Sequence, residues 1–382
     1  MQGKYILLVG VEFNNQGAYL MLLAAAERVR QEFGAVPVVE FHNGSDVKKR
    51  IAGVYPLVPQ RVYGLTDRLQ KIPGLRRLWK RFPWVLPSEV VAVFDGSGFR
   101  YGDQWVHQSL DYTASKLERW AARGVPVYML PQAFGPFELT AAPSRKALNA
   151  SNLIFPRDPE SESYVRAILA DEGADRVRRY PDFTAVLDGR FPARHERLRG
   201  RVPIVPNVNI YSRADDAEAK ARYVANLSAI AIDLHGRGLA PYGLAHEGRN
   251  DVEILQLVVD SVRRTAGIDL DVVSGLDGVE LKGLIGSAPL LVSGRYHAVV
   301  SALSQGVPTV IHGWSHKYEH VARDFGVPEL LADPLGDAGQ SVDLISYILE
   351  SADLGERIVA AGSEVKRSIE AMWSAVREDL RS

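Results

Sequence analysis

The stretch Ser293-Gly294-Arg295-Tyr296-His297-Ala298 sets a guanidinium and an imidazole two positions apart, where the apolar run Leu290 to Val292 gives way to a helical pattern. An arginine fork suits a carboxylate or phosphate. Backbone amides at a helix start add positive potential, and histidine moves protons near neutral pH. Arg295 and His297 are therefore candidate catalytic residues, with Ser293 a substrate-binding neighbour. The competing reading is a packed core histidine beside a structural ion pair.

Other polar residues fall at comparable places. Lys317 follows the run Thr309 to Ile311 and offers a further cation, while His246 ends the run Leu239 to Ala245 ahead of Glu247, Asn250 and Asp251. His246 is a candidate acid or base, and Asn250 or Asp251 alternatively caps the next helix. Arg157 closes Leu153 to Phe155 and precedes Asp158 and Pro159, which read as a helix cap and first helical position. Arg157 is either an anion ligand or half of an ion pair. Three glycine turns sit at strand ends: Asn14-Asn15-Gln16-Gly17, Asp95-Gly96-Ser97-Gly98 and Gln132-Ala133-Phe134-Gly135-Pro136. None is G-x-G-x-x-G or a P-loop, and no Gly-x-Ser-x-Gly elbow occurs. His316 and His320 are four apart but lack the glutamate of H-E-x-x-H, so no metal site is expected. The inventory is cationic and suits a small polyanionic substrate with proton transfer.

Alternating strands and helices must position these groups. Tyr5 to Val9, Gly17 to Phe33 and Val36 to Phe41 read as β-α-β, and the alternation continues through Val90 to Phe94, about 104–123, Val125 to Leu130, 144–150 and Leu153 to Phe155. It restarts with Val202 to Pro206, 216–235, Leu239 to Ala245, 251–265, Leu270 to Val273, 279–285, Leu290 to Val292, 296–305 and Thr309 to Ile311. The pattern predicts two doubly wound parallel α/β domains with the ligand site in the cleft between them. An Arg-rich, aperiodic stretch from Asp188 to Arg201 reads as the linker, giving domains 1–195 and 196–352. Leu354, Ile358, Ala361, Val365, Ile369, Met372, Val376 and Leu380 mark an amphipathic helix over 353–382 that packs back on the body.

Composition narrows the classes. Lys plus Arg number 45 against 46 Asp plus Glu, a formal charge of −1, so nucleic acid is not an expected partner. The absence of cysteine excludes disulfides, thiolate metal sites and a cysteine nucleophile. The opening apolar run is too short for a signal peptide, and nothing approaches the roughly 18–20 apolar residues of a membrane span. A soluble cytoplasmic protein is expected. The insertion 61–87 carries Arg68, Lys71, Arg76, Arg77, Lys80 and Arg81 among Leu75, Leu78, Trp79, Phe82 and Trp84. It reads either as a solvated basic face or as peripheral contact with an anionic, lipid-linked ligand at the inner face of a membrane.

Taken in order, Asn15-Gln16-Gly17, Gly96-Ser97-Gly98, Gln132 with Gly135-Pro136, Arg157-Asp158-x-x-Ser161, Pro181-Asp182, His246 with Asn250-Asp251, and Arg295-x-His297 followed by Ala302, Gly306, Pro308 and Lys317 resemble the polysaccharide pyruvyltransferase family. Many members carry an acid directly after the glycine of the first turn, where this chain has Ala18. The resemblance implies two Rossmann-like domains facing each other as in GT-B glycosyltransferases. It also implies exopolysaccharide or cell-envelope biosynthesis by transfer of pyruvate from phosphoenolpyruvate to a sugar, free or lipid-linked, as a cyclic ketal. Phosphoenolpyruvate would be the donor substrate, with no separate cofactor and no metal. It implies Arg295 and His297 in the site, to which the inventory of residues adds His246 as a further acid or base and Arg157, Lys317, Asn15, Gly17, Ser97, Gln132 and Ser293 as substrate-binding. A GT-B nucleotide-sugar glycosyltransferase, or a carbohydrate-binding relative without catalysis, fits the same cleft.

Overall fold

Short apolar runs separated by amphipathic helices satisfy their backbone groups in a parallel sheet covered on both faces, and the chain builds two. The computed structural model describes residues 4–69, 83–105, 110–170, 173–214 and 216–381. The first unit comprises Met1–Phe13, Ala18–Phe183 and Ser368–Ser382; the second comprises Asn14–Gly17 and Thr184–Arg367.

In the first unit, β1 (Tyr5–Val9), β2 (Val36–Val39), β3 (Tyr55–Pro56), β4 (Val90–Asp95), β5 (Val127–Gln132) and β6 (Leu153–Pro156) lie in the order β3-β2-β1-β4-β5-β6, every pair parallel. In the second, β7 (Val202–Val205), β8 (Pro241–Leu244), β9 (Val272–Val273), β10 (Leu291–Ser293), β11 (Thr309–His312) and β12 (Leu331–Ala332) lie in the order β12-β11-β10-β7-β8-β9, again all parallel. Both follow the doubly wound order of a Rossmann sheet. The winding reverses between β1 and β4 in one and between β7 and β10 in the other, and the carboxyl ends at such reversals are where open α/β sheets bind ligands. Residues with no exposure, such as Ile204, Leu291 and Val292, explain why these strands read as unbroken apolar runs.

Local signals account for the helix ends. Asp158 caps Pro159–Leu169 by accepting from the Ser161 N–H at 2.7 Å, with Pro159 first in the helix. The helix expected from about 104 is described from Leu110 to Ala121, after a 3₁₀ turn at Asp103–Trp105.

The Arg-rich stretch is not a free linker. Arg190, Arg194, Arg197 and Arg201 pair with Asp277, Glu280 and Asp271 at 2.6–3.3 Å, tying the segment to the second unit. The division between units accordingly falls at Phe183/Thr184, upstream of residue 195. The last helix, Leu354–Asp379, buries Leu354, Ile358, Val365, Ile369, Met372 and Val376, six residues of its apolar stripe. It contributes its residues through Arg367 to the second unit and those from Ser368 to the first. Of the basic insertion, residues 70–82 lie outside the described residues. Its flanks form a helix, Tyr63–Leu69, and a return through Val85, which bridges Leu57, with Trp84 edge-on to Phe41. No helix among the described residues is long and apolar enough to cross a membrane.

Trp373 sits in the first unit with no exposure, ringed by Phe33, Phe94 and Phe183 at centroid distances of 5.8–6.3 Å. Trp373→Ala should cost about 3–5 kcal/mol, read as an earlier chemical-denaturation midpoint; an unchanged midpoint would show that this cluster does not hold the unit together.

Candidate functional site

The strongest polar cluster lies at the carboxyl ends of β7, β8 and β10. Ser293 and Val205 pair across β10 and β7, so both strands end level, and the Gly294 N–H donates to Val205 O at 3.3 Å. Gly294 passes close to its neighbours: an added Cβ would stand 2.6 Å from Ile210 Cδ1 and 3.2 Å from Asn207 Cβ. Its carbonyl accepts from Asn207 Nδ2 at 2.5 Å and from the Tyr318 hydroxyl at 2.6 Å, and that hydroxyl accepts from Trp314 Nε1 at 2.8 Å. Ser293 is fully buried, and its Oγ accepts the Arg295 N–H at 2.9 Å. These bonds fix the turn that aims Arg295 and begins the helix Tyr296–Leu303.

Arg295, 6% exposed, is enclosed by acids. Nη1 donates to Glu247, Nη2 to Asp251, and Nε to Pro206 O at 3.3 Å. Burial disfavours its charge, but the Asp251 and Glu247 carboxylates more than compensate, holding its pKa above the ordinary arginine value. Asp251 is itself fully buried and also accepts the backbone N–H of His246 at 3.1 Å and of Glu247 at 2.8 Å. Burial pushes its carboxyl up, and Arg295 offsets that rise only in part. Asp251 lies inside the helix Gly248–Ala266 and reaches back to the two residues before it, so it is not the helix cap; that position belongs to Glu247, whose side chain makes no capping bond.

Two histidines complete the group. His246 is buried, and its Nε2 has no hydrogen-bond partner among the described residues. Burial, then the Arg295 and His297 charges, lower its pKa to about 3, so the ring is neutral. His297 is half-buried and stands against Gly17. A Cβ at Gly17 would collide with the imidazole, so glycine is needed there. Asn15 reaches the same cluster, its Nδ2 donating to Glu247. Lys317 lies over the rings of Trp314, Tyr318 and Tyr296 at 4.6, 5.4 and 5.7 Å. Of the residues singled out in the sequence, Arg295, His297, His246, Ser293, Asn15, Gly17 and Lys317 therefore belong to the second unit. Glu247 and Asp251 as partners of Arg295, and Asn207, were missed; the acid run after His246 was visible, but its pairing with Arg295 was not.

Ser97, Gln132 and Arg157 share a different cluster, at the carboxyl ends of β4, β5 and β6. Fully buried Asp95 accepts from the Ser97 N–H at 3.0 Å and from the hydroxyls of Ser97 and Tyr101. Burial raises its pKa, and those bonds lower it in part. Gln132 Nε2 donates to Asp95 O at 3.4 Å, and its Oε1 has no partner among the described residues. Arg157 forms a buried ion pair with Asp182 at 3.3 Å. His316 and His320 stack edge-on at 5.9 Å, and no cluster of three metal-ligating side chains occurs among the described residues.

A family model described as polysaccharide pyruvyl transferase matches residues 15–316, a span that includes both clusters up to His316. The chain belongs to this family. This member of the polysaccharide pyruvyl transferase family is accordingly a transferase by family. Among solved structures, it is similar to the S. aureus MnaA–UDP co-structure, at 11% identity and a TM-score of 0.63 over 99% of this chain and 97% of that one. It is similar also to UDP-GlcNAc 2-epimerase from Neisseria meningitidis bound to UDP-GlcNAc, at 11% and 0.60 over 98% and 100%. The spinosyn rhamnosyltransferase SpnG matches at 13% and 0.51 over 99% and 100%. At these identities the likeness is one of fold, and it bears out the two-domain, GT-B-like α/β architecture. No curated protein sequence matches the chain.

A second buried histidine, His312, ends β11 with Nε2 3.1 Å from Ser341 Oγ, and burial lowers its pKa to about 4. Both His246 and His312 are neutral in the fold, whereas the unfolded chain takes up their protons below about 6.5. Their contribution to stability is therefore complete above about pH 6.5 and is lost as the pH falls towards 4 and 3. His312→Gln should lower the denaturation midpoint at pH 7.5 and lose that deficit progressively towards pH 4; a deficit independent of pH would rule out a buried neutral imidazole.

Proposed function

We propose that the protein transfers the pyruvyl group of phosphoenolpyruvate to a sugar of a polysaccharide, or of its lipid-linked or oligosaccharide precursor, closing a pyruvate ketal and releasing phosphate. The observation that carries this reading is the placement of Arg295 and His297 on one strand-to-helix turn in a chain of this family. The donor bears a carboxylate and a phosphate, and Arg295, Lys317 and the first amides of the helix Tyr296–Leu303 supply positive charge for them.

In the proposed reaction, protonated His297 gives its proton to the methylene carbon, making it a methyl group and leaving C2 electrophilic. A sugar hydroxyl oxygen bonds to C2 and passes its proton to the now neutral His297, the C2–O bond to phosphate breaks, and a neighbouring hydroxyl adds to C2 in its place. Its proton leaves with the phosphate. His246, with a pKa of about 3, is too weak a base to take a hydroxyl proton efficiently beside two cationic groups. Its Nε2, without a hydrogen-bond partner among the described residues, suits accepting a hydrogen bond from the acceptor.

A thermal-shift panel separates this reading from a nucleotide-sugar enzyme, because a ligand of the native state raises its stability by mass action. Phosphoenolpyruvate should raise the melting temperature of the wild type but not of Arg295→Ala, and should yield phosphate when an acceptor is supplied. A shift with nucleotide-sugars alone would overturn the proposal. His297→Ala should lower turnover about 10²–10⁴-fold. Gly17→Ala should also lower turnover, by displacing the imidazole, while keeping or raising the melting temperature because alanine favours the helix; full activity in Gly17→Ala would sink the role of His297.

A further inference from the structure

Arg295 has two carboxylate partners of different character. Asp251 has no exposure, and besides Nη2 of Arg295 it accepts the backbone N–H groups of His246 and Glu247 just before its own helix, so it is a fixed part of the turn. The Glu247 side chain is about 30% exposed and makes no capping bond. Its two oxygens accept one bond each, from Asn15 Nδ2 and from Arg295 Nη1. The next residue, Gly248, has φ +62 and open space around it, so the backbone beside Glu247 is not packed in place.

An amide N–H and a guanidinium N–H converging on two oxygens of one carboxylate make a carboxylate-binding subsite. The group that fills it here is part of the chain and partly in solvent. Glu247 holds one N–H of Nη1 together with the Asn15 amide, so a substrate carboxylate that takes this same pair of donors must displace it.

We propose that Asn15 and Arg295 form the subsite for the substrate's carboxylate, and that Glu247 occupies it as an internal stand-in until the substrate displaces it. This rests on the pyruvyl-transfer reading for the identity of the ligand, though not for the chemistry of the subsite. Glu247 is then a positioning residue: with Asp251 it holds the orientation of Arg295, and it competes with the donor for Nη1. Removing it should tighten binding of carboxylates and should not tighten binding of an anion that lacks one.

The test is calorimetric titration of the wild type, Glu247→Ala, Glu247→Gln and the double variant Glu247→Ala/Arg295→Ala with phosphoenolpyruvate, pyruvate and inorganic phosphate, with the melting temperature of each recorded. Glu247→Ala should bind phosphoenolpyruvate and pyruvate about tenfold more tightly than the wild type, and phosphate no more tightly. Glu247→Gln, uncharged but still able to accept a hydrogen bond, should fall between, and the gain should vanish in the double variant. Unchanged or weaker carboxylate binding in a folded Glu247→Ala, or an equal gain for phosphate, would overturn the stand-in. If Glu247→Ala unfolds, Glu247→Gln decides by the same comparison. If pyruvate gains in an Arg295-dependent way while phosphoenolpyruvate binds no variant, the subsite stands and the pyruvyl-transfer reading fails. If no carboxylate binds any variant, the subsite itself fails.

Discussion

A guanidinium taken out of water needs opposite charge beside it, and the arrangement of the second unit follows from how Arg295 is supplied with it. Removing one partner from a buried ion pair typically costs about 3–5 kcal/mol, so the turns that carry Arg295, Asp251 and Pro206 are held in mutual register. His297 is two residues along the same turn and inherits that precision. The weak basicity of His246 has the same origin, since the Arg295 charge adds to burial in lowering its pKa. The acids that hold Arg295 also offset its charge, so a group that looks like a ready anion hook in the sequence is already paired within the fold.

The two sheets share one strand order but carry opposite kinds of chemistry at their reversals. Between β7 and β10 the buried charge at the centre is a cation surrounded by acids. At the end of β4 the central buried group is instead an acid, the Asp95 carboxyl, bonded by a tyrosine and a serine hydroxyl. Topology fixes where such groups gather, and side-chain chemistry decides what each gathering favours.

Much of this was legible because the signals are local. The cap at Asp158, the proline after it, the turn before Tyr296 and nearly every buried strand are stated by neighbouring residues. What escaped depended on distance or brevity. The two-residue strands Tyr55–Pro56 and Leu331–Ala332 are too short to show a period, and the helix Ala338–Glu350 was not singled out. The Arg-rich run before Val202 looked like a linker because its acidic partners lie some 70 or more residues away, in Asp271, Asp277 and Glu280. Glu247 was in plain view beside His246, but only the folded chain brings it to Arg295 and Asn15.

The first unit draws on both ends of the chain. Its aromatic cluster of Phe33, Phe94 and Phe183 is closed by Trp373, and Tyr128 donates to Asp379 at 2.7 Å. The second unit needs no residue beyond Arg367. On a ribosome, where domains generally mature from the N-terminus onward, the order is therefore reversed. The unit synthesised first waits for the last turns of the final helix, and the unit synthesised second is complete before it. Until those turns are made, Phe33, Phe94 and Phe183 lack the indole that they pack against in the folded unit.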